Sequence, residues 1–253
     1  MPSSEKEGRR LILAGYSDEF VQMANDCSTW LFWHYRLRAS QHVIVGNGSL
    51  FFLDAGVGPF GVTASHVIHA FLKAKEDHRE LGIQMGNISL DPSLLLLGDD
   101  PILDVATFRI NERDIASIGK RPHIDPKQWP PPRPQENRGI FFGGYRGPDD
   151  KVITPDEPVP WDFWYGFGPV TGVFDSQLTA RFERADWVSR PGQLAPPPGA
   201  EWGGTSGGPM FALFEASIVY FRLCGVIKEY SSAVELMAFA PIDRIGRDGA
   251  LKA

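Results

Sequence analysis

Ser206 stands between two pairs of glycines in the segment 202–211, which reads Trp-Gly-Gly-Thr-Ser-Gly-Gly-Pro-Met-Phe. A serine is a poor nucleophile near neutral pH unless a positioned base removes its proton. Glycines on both sides of it allow close backbone approach, so that neighbouring N–H groups can hold an oxyanion. The same pattern also fits a glycine-rich hairpin loop with no chemical role. The choice depends on whether the chain supplies a base and a group that orients it.

The candidate bases are six histidines, and all of them precede Ser206 in the chain. This order excludes the α/β-hydrolase arrangement, in which the histidine follows the serine, and leaves the order His–Asp–Ser open. His66 ends the short apolar segment Thr63-Ala64-Ser65-His66 and begins a predicted short helix. His69, one helical turn further on, is the competing base.

Asp104 is the candidate orienting group, because it lies inside the apolar run 102–108. A buried carboxylate there needs a partner such as an imidazole N–H. The alternative is an aspartate at a strand end that faces solvent. Asp99 and Asp100 precede a proline and have the composition of a turn.

The elements that position these residues are predicted to be mostly short strands. The 253 residues include 27 glycines and 21 prolines, which favours many turns over long helices. Helical spacing of apolar residues predicts one amphipathic helix over about 18–32. Residues 42–53 have the pattern of a hairpin with Asn47-Gly48 at its turn or bulge. The prolines of 129–134 predict a rigid extended connector between two halves. The chain is therefore expected to be an all-β protein of two barrel-like halves.

Composition and charge exclude several classes of function. The net charge of −6 disfavours an electrostatic nucleic-acid surface, and no apolar run approaches the roughly 20 residues that span a bilayer. Cys27 and Cys224 are too few for a disulfide framework and lack metal-ligand spacing. We expect a soluble, cytoplasmic protein that uses no metal and no organic cofactor and binds neither nucleic acid nor membranes.

Three segments together resemble the signature motifs of trypsin-like (chymotrypsin-fold) serine peptidases: Thr63-Ala64-Ser65-His66, Leu103-Asp104-Val105-Ala106 and Gly204-Thr205-Ser206-Gly207-Gly208-Pro209. Their surroundings look closest to the bacterial HtrA-type branch, without a PDZ domain. Gly46-Asn47-Gly48-Ser49 is similar to that branch's glycine-rich hairpin, 140–145 to its first strand of barrel two, and 238–242 to its last strand.

The resemblance implies a fold of two six-stranded antiparallel β-barrels with an extra N-terminal helix. The implied ranges are 1–34 for the tail and helix, 35–128 for the first barrel with His66 and Asp104, 129–138 for the connector, and 139–253 for the second barrel with Ser206. Ser206 would be the nucleophile, His66 the base and Asp104 its orienter, with the N–H groups of Gly204 and Ser206 as oxyanion hole. The implied substrate-binding residues are Ala200 on the pocket floor, Lys228, Glu229 and Tyr230 on the strand beside the substrate, and Ala238 in the pocket wall.

The implied function is a serine endopeptidase that cleaves a protein or peptide substrate, with a modest apolar residue before the cut. A catalytically latent module that binds a protein partner is the alternative, and an acyl-ester hydrolase on the same fold is a third. Thr205 stands where the family usually has Asp or Asn, so we expect an oxyanion loop that lacks its usual anchor and needs substrate or a partner to become ordered. The N-terminal helix is interpreted as a brace, an oligomer contact or a docking element.

Overall fold

The computed structural model describes residues 15, 17–36, 43–78, 80–125, 129–147, 152–153, 161–183, 202–216 and 219–252. Within them the chain is all-β with three α-helices: α1 (Asp18–Cys27), α2 (Ser65–Asp77) and α3 (Glu112–Ile118). The first half contributes β1 (Ser28–Arg36), β2 (Val43–Asp54), β3 (Pro59–Thr63), β4 (Leu81–Met85), β5 (Leu96–Asp100), β6 (Val105–Arg109) and β7 (His123–Ile124). The second half contributes β8 (Gly139–Arg146), β9 (Val152–Ile153), β10 (Asp162–Val173), β11 (Leu178–Arg181), β12 (Pro209–Glu215), β13 (Val219–Ser231) and β14 (Leu236–Pro241).

The second half forms the barrel that the sequence predicts. Six antiparallel strands close in the order β10-β11-β14-β13-β12-β8, and β8 pairs with β10 to complete the circle. Its interior is filled by side chains such as Phe142, Met210 and Phe239, each fully buried. The prediction of a six-stranded antiparallel barrel is confirmed for this half.

The first half is an open sheet, so the prediction of a second closed barrel is wrong there. Its strands run in the order β4-β1-β2-β3-β6-β5, with β7 and β9 added against β2. The two edge strands, β4 and β5, do not pair in the part of the chain that is described. Between them the chain turns back at Met85–Ile88 and then forms a 3-10 helix over Pro92–Leu95. Pro92 has no backbone N–H to give to a ladder, and the helical turn diverts the backbone away from the opposite edge.

The N-terminal helix is present but shorter than the predicted range of about 18–32. It ends at Cys27, and 28–36 form β1, which pairs with β2 on one side and β4 on the other. Thr29, Trp30 and Phe32 are β-branched or aromatic residues that favour a strand. Pairing on both sides therefore outweighs the helical spacing of the apolar residues.

No turn forms at Asn47-Gly48, because β2 continues through both residues as one strand. The glycines serve close packing instead. A Cβ on Gly46 would lie 2.3 Å from the ring of Trp33, and one on Gly48 would lie 2.4 Å from Val67. The predicted hairpin is therefore replaced by a long strand that leads toward the site.

The two halves share a hydrophobic core, and α1 is part of it. Phe51 from the first half and Phe141 and Phe211 from the second belong to one buried cluster, together with Ala24 of α1. The ring of Phe20 lies 4.4 Å from that of Phe221, centroid to centroid. The apolar face of α1 is thus covered by the chain's own strands, as expected for a brace.

Candidate active site

His66 lies in the first turn of α2, directly after β3. Thr63 ends the strand and Ala64 is the extended residue before the helix, which confirms the predicted strand-to-helix change. The imidazole is half-exposed. The fold therefore holds its backbone rigidly and leaves its ring open to the space beside the helix, where it can exchange a proton.

Asp104 is not inside a strand, as the sequence suggests, but in the turn before β6, with a positive φ of 65°. Asp100 causes this turn, because its carboxylate accepts the N–H groups of Ile102 and Leu103 and its carbonyl accepts that of Asp104. Such local side-chain bonds compete with strand formation, and aspartate tolerates the left-handed region better than most residues. The turn places the carboxylate against the start of α2.

Three contacts join Asp104 to His66. The Nδ1 atom of His66 lies 2.9 Å from Oδ2 and 3.1 Å from Oδ1 of Asp104, and the backbone N–H of His66 donates to Oδ1 at 2.9 Å. Burial raises the pKa of Asp104, but the hydrogen bonds from His66 and the nearby charges of His66 and Lys228 outweigh it and lower the pKa overall. The carboxylate is therefore ionised near neutral pH and can only accept, so Nδ1 of His66 carries the proton that it donates, and Nε2 keeps its lone pair whenever the ring holds a single proton.

A second imidazole–carboxylate pair lies one helical turn along. Nε2 of His69 is 2.7 Å from Oδ2 of Asp99, and the hydroxyl of Ser65 donates to the other oxygen of Asp99 at 2.5 Å. Asp99, which the sequence assigns to a turn, lies on β5 and fixes the start of α2. The Nε2 atom, which would act as the base in a triad, is thus already bound to Asp99 in His69, whereas in His66 it has no partner among the described residues.

The loop 202–208 explains why glycines flank Ser206. Gly204 and Gly207 have φ values of +88° and +92°, which other residues rarely adopt. A Cβ on Gly207 would lie 2.0 Å from the carbonyl oxygen of Ser49, and one on Gly208 would lie 2.1 Å from that of Gly143. The interpretation that the backbone must come close to other groups is confirmed, and those groups belong to both halves of the chain.

The hydroxyl of Ser206 donates to the backbone carbonyl of Lys228 at 2.8 Å. In the described part of the chain no hydrogen bond joins it to His66. The two residues nevertheless belong to one region, because a Cβ on Gly207 would lie 2.4 Å from the hydroxyl oxygen of Thr63, three residues before His66. Lys228 also contributes to the low pKa of Asp104. The structure therefore pairs His66 with Asp104 and packs the Ser206 loop against the strand that leads to His66, with the Ser206 hydroxyl bonded to Lys228.

The N–H groups of Gly204 and Ser206, which are predicted to form an oxyanion hole, have no acceptor among the described residues. Gly207 and Gly208, by contrast, donate to Ile227 and Thr205, respectively. Unpaired N–H groups beside a serine can receive a negatively charged oxygen. The loop thus presents the Gly204 and Ser206 N–H groups as available donors.

Thr205 is anchored within the loop, although it is not the Asp or Asn that is usual at this position. It is buried, and both its hydroxyl and its N–H donate to the carbonyl of Trp202, at 2.7 and 3.2 Å. The loop lacks the Asp or Asn anchor, as the sequence shows, but position 205 is held within the loop by these two bonds. A threonine hydroxyl replaces the carboxylate or amide by closing a short turn within the loop.

The predicted substrate-binding residues fall into three groups. Lys228, Glu229 and Tyr230 lie on β13, which beyond Ile227 pairs only with β14 in the described region. Ala238 is buried on β14 opposite Glu229. Ala200 lies outside the described residues.

Two polar residues that the sequence does not single out hold this region together: Ser49 supports the loop, and Lys120 links α1 to β8. Ser49 of β2 is fully buried and bonds to the carbonyls of Gly204 and Ser206. Lys120 donates to the carbonyl of Asn25 in the last turn of α1 and to the hydroxyl of Tyr145, both at 2.7 Å. Partners so far apart in the chain leave no local signal in the sequence.

The remaining reactive side chains do not form a competing centre. Cys27 and Cys224 are free and buried, and burial raises the pKa of each thiol to about 12. No group of three or more His, Cys, Asp or Glu within the described ranges is arranged to hold a metal ion. None of the helices described there is long and apolar enough to cross a membrane.

Comparisons with known proteins give structural likenesses alone. No family model matches the sequence, and no curated protein does. A mutant of tobacco etch virus protease has a TM-score of 0.44 at 11% identity, over 88% of this chain and 78% of that chain. Tobacco vein mottling virus protease has a TM-score of 0.44 at 9% identity, over 85% of this chain and 76% of that one. A structure concerned with folding and binding of the Sesbania mosaic virus VPg protein has a TM-score of 0.45 at 14% identity, over 85% of this chain and 86% of that chain. These proteins are viral, so the expected closeness to the bacterial HtrA-type branch gains no support from them.

Proposed function

We propose that this chain is a serine endopeptidase in which Ser206 is the nucleophile, His66 the general base and Asp104 its orienter. The observation that supports it best is the pairing of Nδ1 of His66 with an ionised Asp104, together with a glycine-bounded serine. The N–H groups of Gly204 and Ser206 have no acceptor in the described part of the chain. A base in the right tautomer, a nucleophile and two oxyanion donors are the components that acyl transfer needs.

The reaction begins when Oγ of Ser206 turns from the carbonyl of Lys228 toward His66. This is a rotation about χ1, and the hydrogen bond lost is worth about 0.5–1.5 kcal/mol net. Oγ then attacks the substrate carbonyl carbon while Nε2 of His66 takes its proton. The oxygen that becomes negative accepts from the N–H groups of Gly204 and Ser206. Asp104 stabilises the imidazolium, which returns the proton to the leaving amine, and water releases the acyl group by the same route.

The substrate backbone would lie along the open edge of β13. A strand whose backbone groups are unpaired on one side can accept an extended peptide as an additional strand. We assign this role to Lys228, Glu229 and Tyr230, with Ala238 and Ala200 lining the pocket for the residue before the cut. The small side chains at those two positions favour a modest apolar residue there.

A latent module that binds a protein partner is the second candidate, and one observation favours it. The hydroxyl of Ser206 is bound to Lys228 rather than to His66. If that bond persists when substrate arrives, the site binds a carbonyl without attacking it. Four expectations stay predictions from the sequence. They are the HtrA-type relationship, the cytoplasmic location, a partner contact through the N-terminal helix, and the domain ranges 1–34, 35–128, 129–138 and 139–253.

The proposal is tested by turnover of a fluorogenic peptide library and of a p-nitrophenyl ester. We expect cleavage of peptides by the wild type and loss of both activities in Ser206→Ala. Ester turnover without peptide turnover would identify an acyl-ester hydrolase. Binding of peptides with no turnover of either substrate would favour the latent module.

A further inference from the structure

Ser49 is a buried hydroxyl that touches both the proposed oxyanion loop and the neighbouring strand β8. Its Oγ donates to the carbonyl oxygen of Gly204 at 2.8 Å and accepts the N–H of Tyr145 at 2.7 Å. The carbonyl oxygen of Tyr145, at 3.4 Å, is a more distant acceptor for the same proton. The backbone N–H of Ser49 also donates to the carbonyl of Ser206 at 2.8 Å. One residue of the first half thus holds two carbonyls of the loop.

The peptide between Gly204 and Thr205 is fixed at both of its polar atoms. Its oxygen accepts from Ser49, and its N–H donates to the carbonyl of Trp202. The peptides on either side of it carry the N–H groups of Gly204 and Ser206. Because Gly204 has no side chain to resist rotation, the direction of those N–H groups depends on how this central peptide is held.

We propose that the hydroxyl of Ser49 is a positioning group that keeps the oxyanion loop in its donor orientation. The inference rests on the proposed function for its catalytic consequence, while the position of the loop can be measured independently. Without the hydroxyl, the carbonyl of Gly204 loses its buried donor, and rotation of the flexible glycine peptide toward another donor turns the adjacent N–H groups away from the substrate. A group with a structural role alone would change the unfolding temperature and leave both the loop and kcat as they are.

The sequence provides a specific probe of this peptide. Gly204-Thr205 is the one Gly-Thr pair in the chain. Protein labelled with ¹³C at glycine carbonyls and ¹⁵N at threonine therefore gives a single carbonyl–nitrogen correlation, from the peptide that Ser49 holds. Its chemical shift reports the hydrogen bond to the Gly204 oxygen whether or not the protein is an active enzyme.

The test compares wild type, Ser49→Ala and a matched control, Thr63→Val. The control removes another fully buried hydroxyl, one that donates to the carbonyl of Ser49 at 2.7 Å and does not bond to Gly204. We expect the correlation to move or split in Ser49→Ala and to stay in place in Thr63→Val. We also expect kcat of Ser49→Ala to fall about 10²–10³-fold, the usual effect of losing an oxyanion donor, with KM changed less than about threefold.

An unchanged correlation in folded Ser49→Ala would overturn the proposal, as would a moved correlation with wild-type kcat. If Ser49→Ala does not fold, Ser49→Cys provides the same comparison with a near-isosteric, weak donor. A wild type that turns over no substrate would refute the proposed function alone, because the correlation still decides whether Ser49 holds the loop.

Discussion

Replacement of Asp104 by asparagine separates the role of this carboxylate in orienting His66 from its role in the fold. Oδ1 of Asp104 accepts the backbone N–H of His66 at 2.9 Å, and Oδ2 lies 2.9 Å from Nδ1 of its ring. An asparagine of the same shape keeps the first bond through its oxygen, which also lies 3.1 Å from Nδ1, and places its NH₂ at the nearer position, 2.9 Å from Nδ1. A ring that accepts this NH₂ at Nδ1 carries its proton on Nε2, where it cannot take the proton of Ser206.

The expected loss is large because the tautomer is wrong while the geometry is kept. For a triad of this type it is about 10⁴-fold in kcat, or about 5.4 kcal/mol in the activation free energy. The matched control is Asp99→Asn, which alters the neighbouring pair with His69. We expect that variant to keep kcat within about threefold.

The assay measures kcat and KM for the best peptide substrate, with circular dichroism as a check of folding. Loss of less than tenfold in Asp104→Asn would refute the assigned tautomer. Equal losses in Asp104→Asn and Asp99→Asn would refute the choice of His66 over His69.

The remaining predictions concern stability. Gly207→Ala should lower the unfolding free energy by more than about 2 kcal/mol in urea titrations, because Gly207 has a positive φ and its Cβ would lie 2.0 Å from a backbone oxygen. Gly203→Ala, whose Cβ would have no other atom within 4 Å, should change the unfolding free energy by less than about 1 kcal/mol. Similar values for the two variants would contradict this reasoning. Asp125→Asn breaks a bidentate ion pair with the buried Arg222, so the unfolding free energy is expected to fall by about 3–5 kcal/mol in the same titrations. A fall of less than about 1 kcal/mol would show that the pair is solvated. The pKa of Asp104 is lowered in the folded protein, so its stabilising effect is present above the unfolded pKa of about 3.9 and is lost as the pH falls through the folded value. The stability difference between wild type and Asp104→Asn should therefore hold above about pH 5 and shrink as the pH falls below about 3.9. A difference that stays constant down to about pH 2 would contradict the pKa direction.

Local patterns in the sequence predicted the parts of the site that local structure determines. The start of α2 at His66 follows from an apolar strand that runs into helical spacing. The glycines around Ser206 indicate close backbone contact, and the structure shows carbonyls of Ser49 and Gly143 at those positions. The apolar run 102–108 indicates Asp104 as a buried carboxylate that needs a partner, but it does not show that Asp104 lies in a turn. The side chain of Asp100 binds two N–H groups and turns the chain before β6 begins.

Long-range contacts account for the rest. Residues 28–32 have helical spacing, yet pairing with β2 and β4 makes them a strand. The first sheet stays open between β4 and β5 in the described part of the chain, and strand pairing of this kind cannot be deduced from composition. Ser49 contacts Gly204 across 155 positions in the chain, and this contact exists only once both halves have folded.

The most direct test of the proposed nucleophile and base is the rate of labelling by a fluorophosphonate probe, followed by identification of the labelled residue. We predict that wild type is labelled on Ser206, that Ser206→Ala and His66→Ala are not labelled, and that His69→Ala is labelled at close to the wild-type rate. Labelling on another residue, labelling of His66→Ala at the wild-type rate, or no labelling of folded wild type would contradict the assignment.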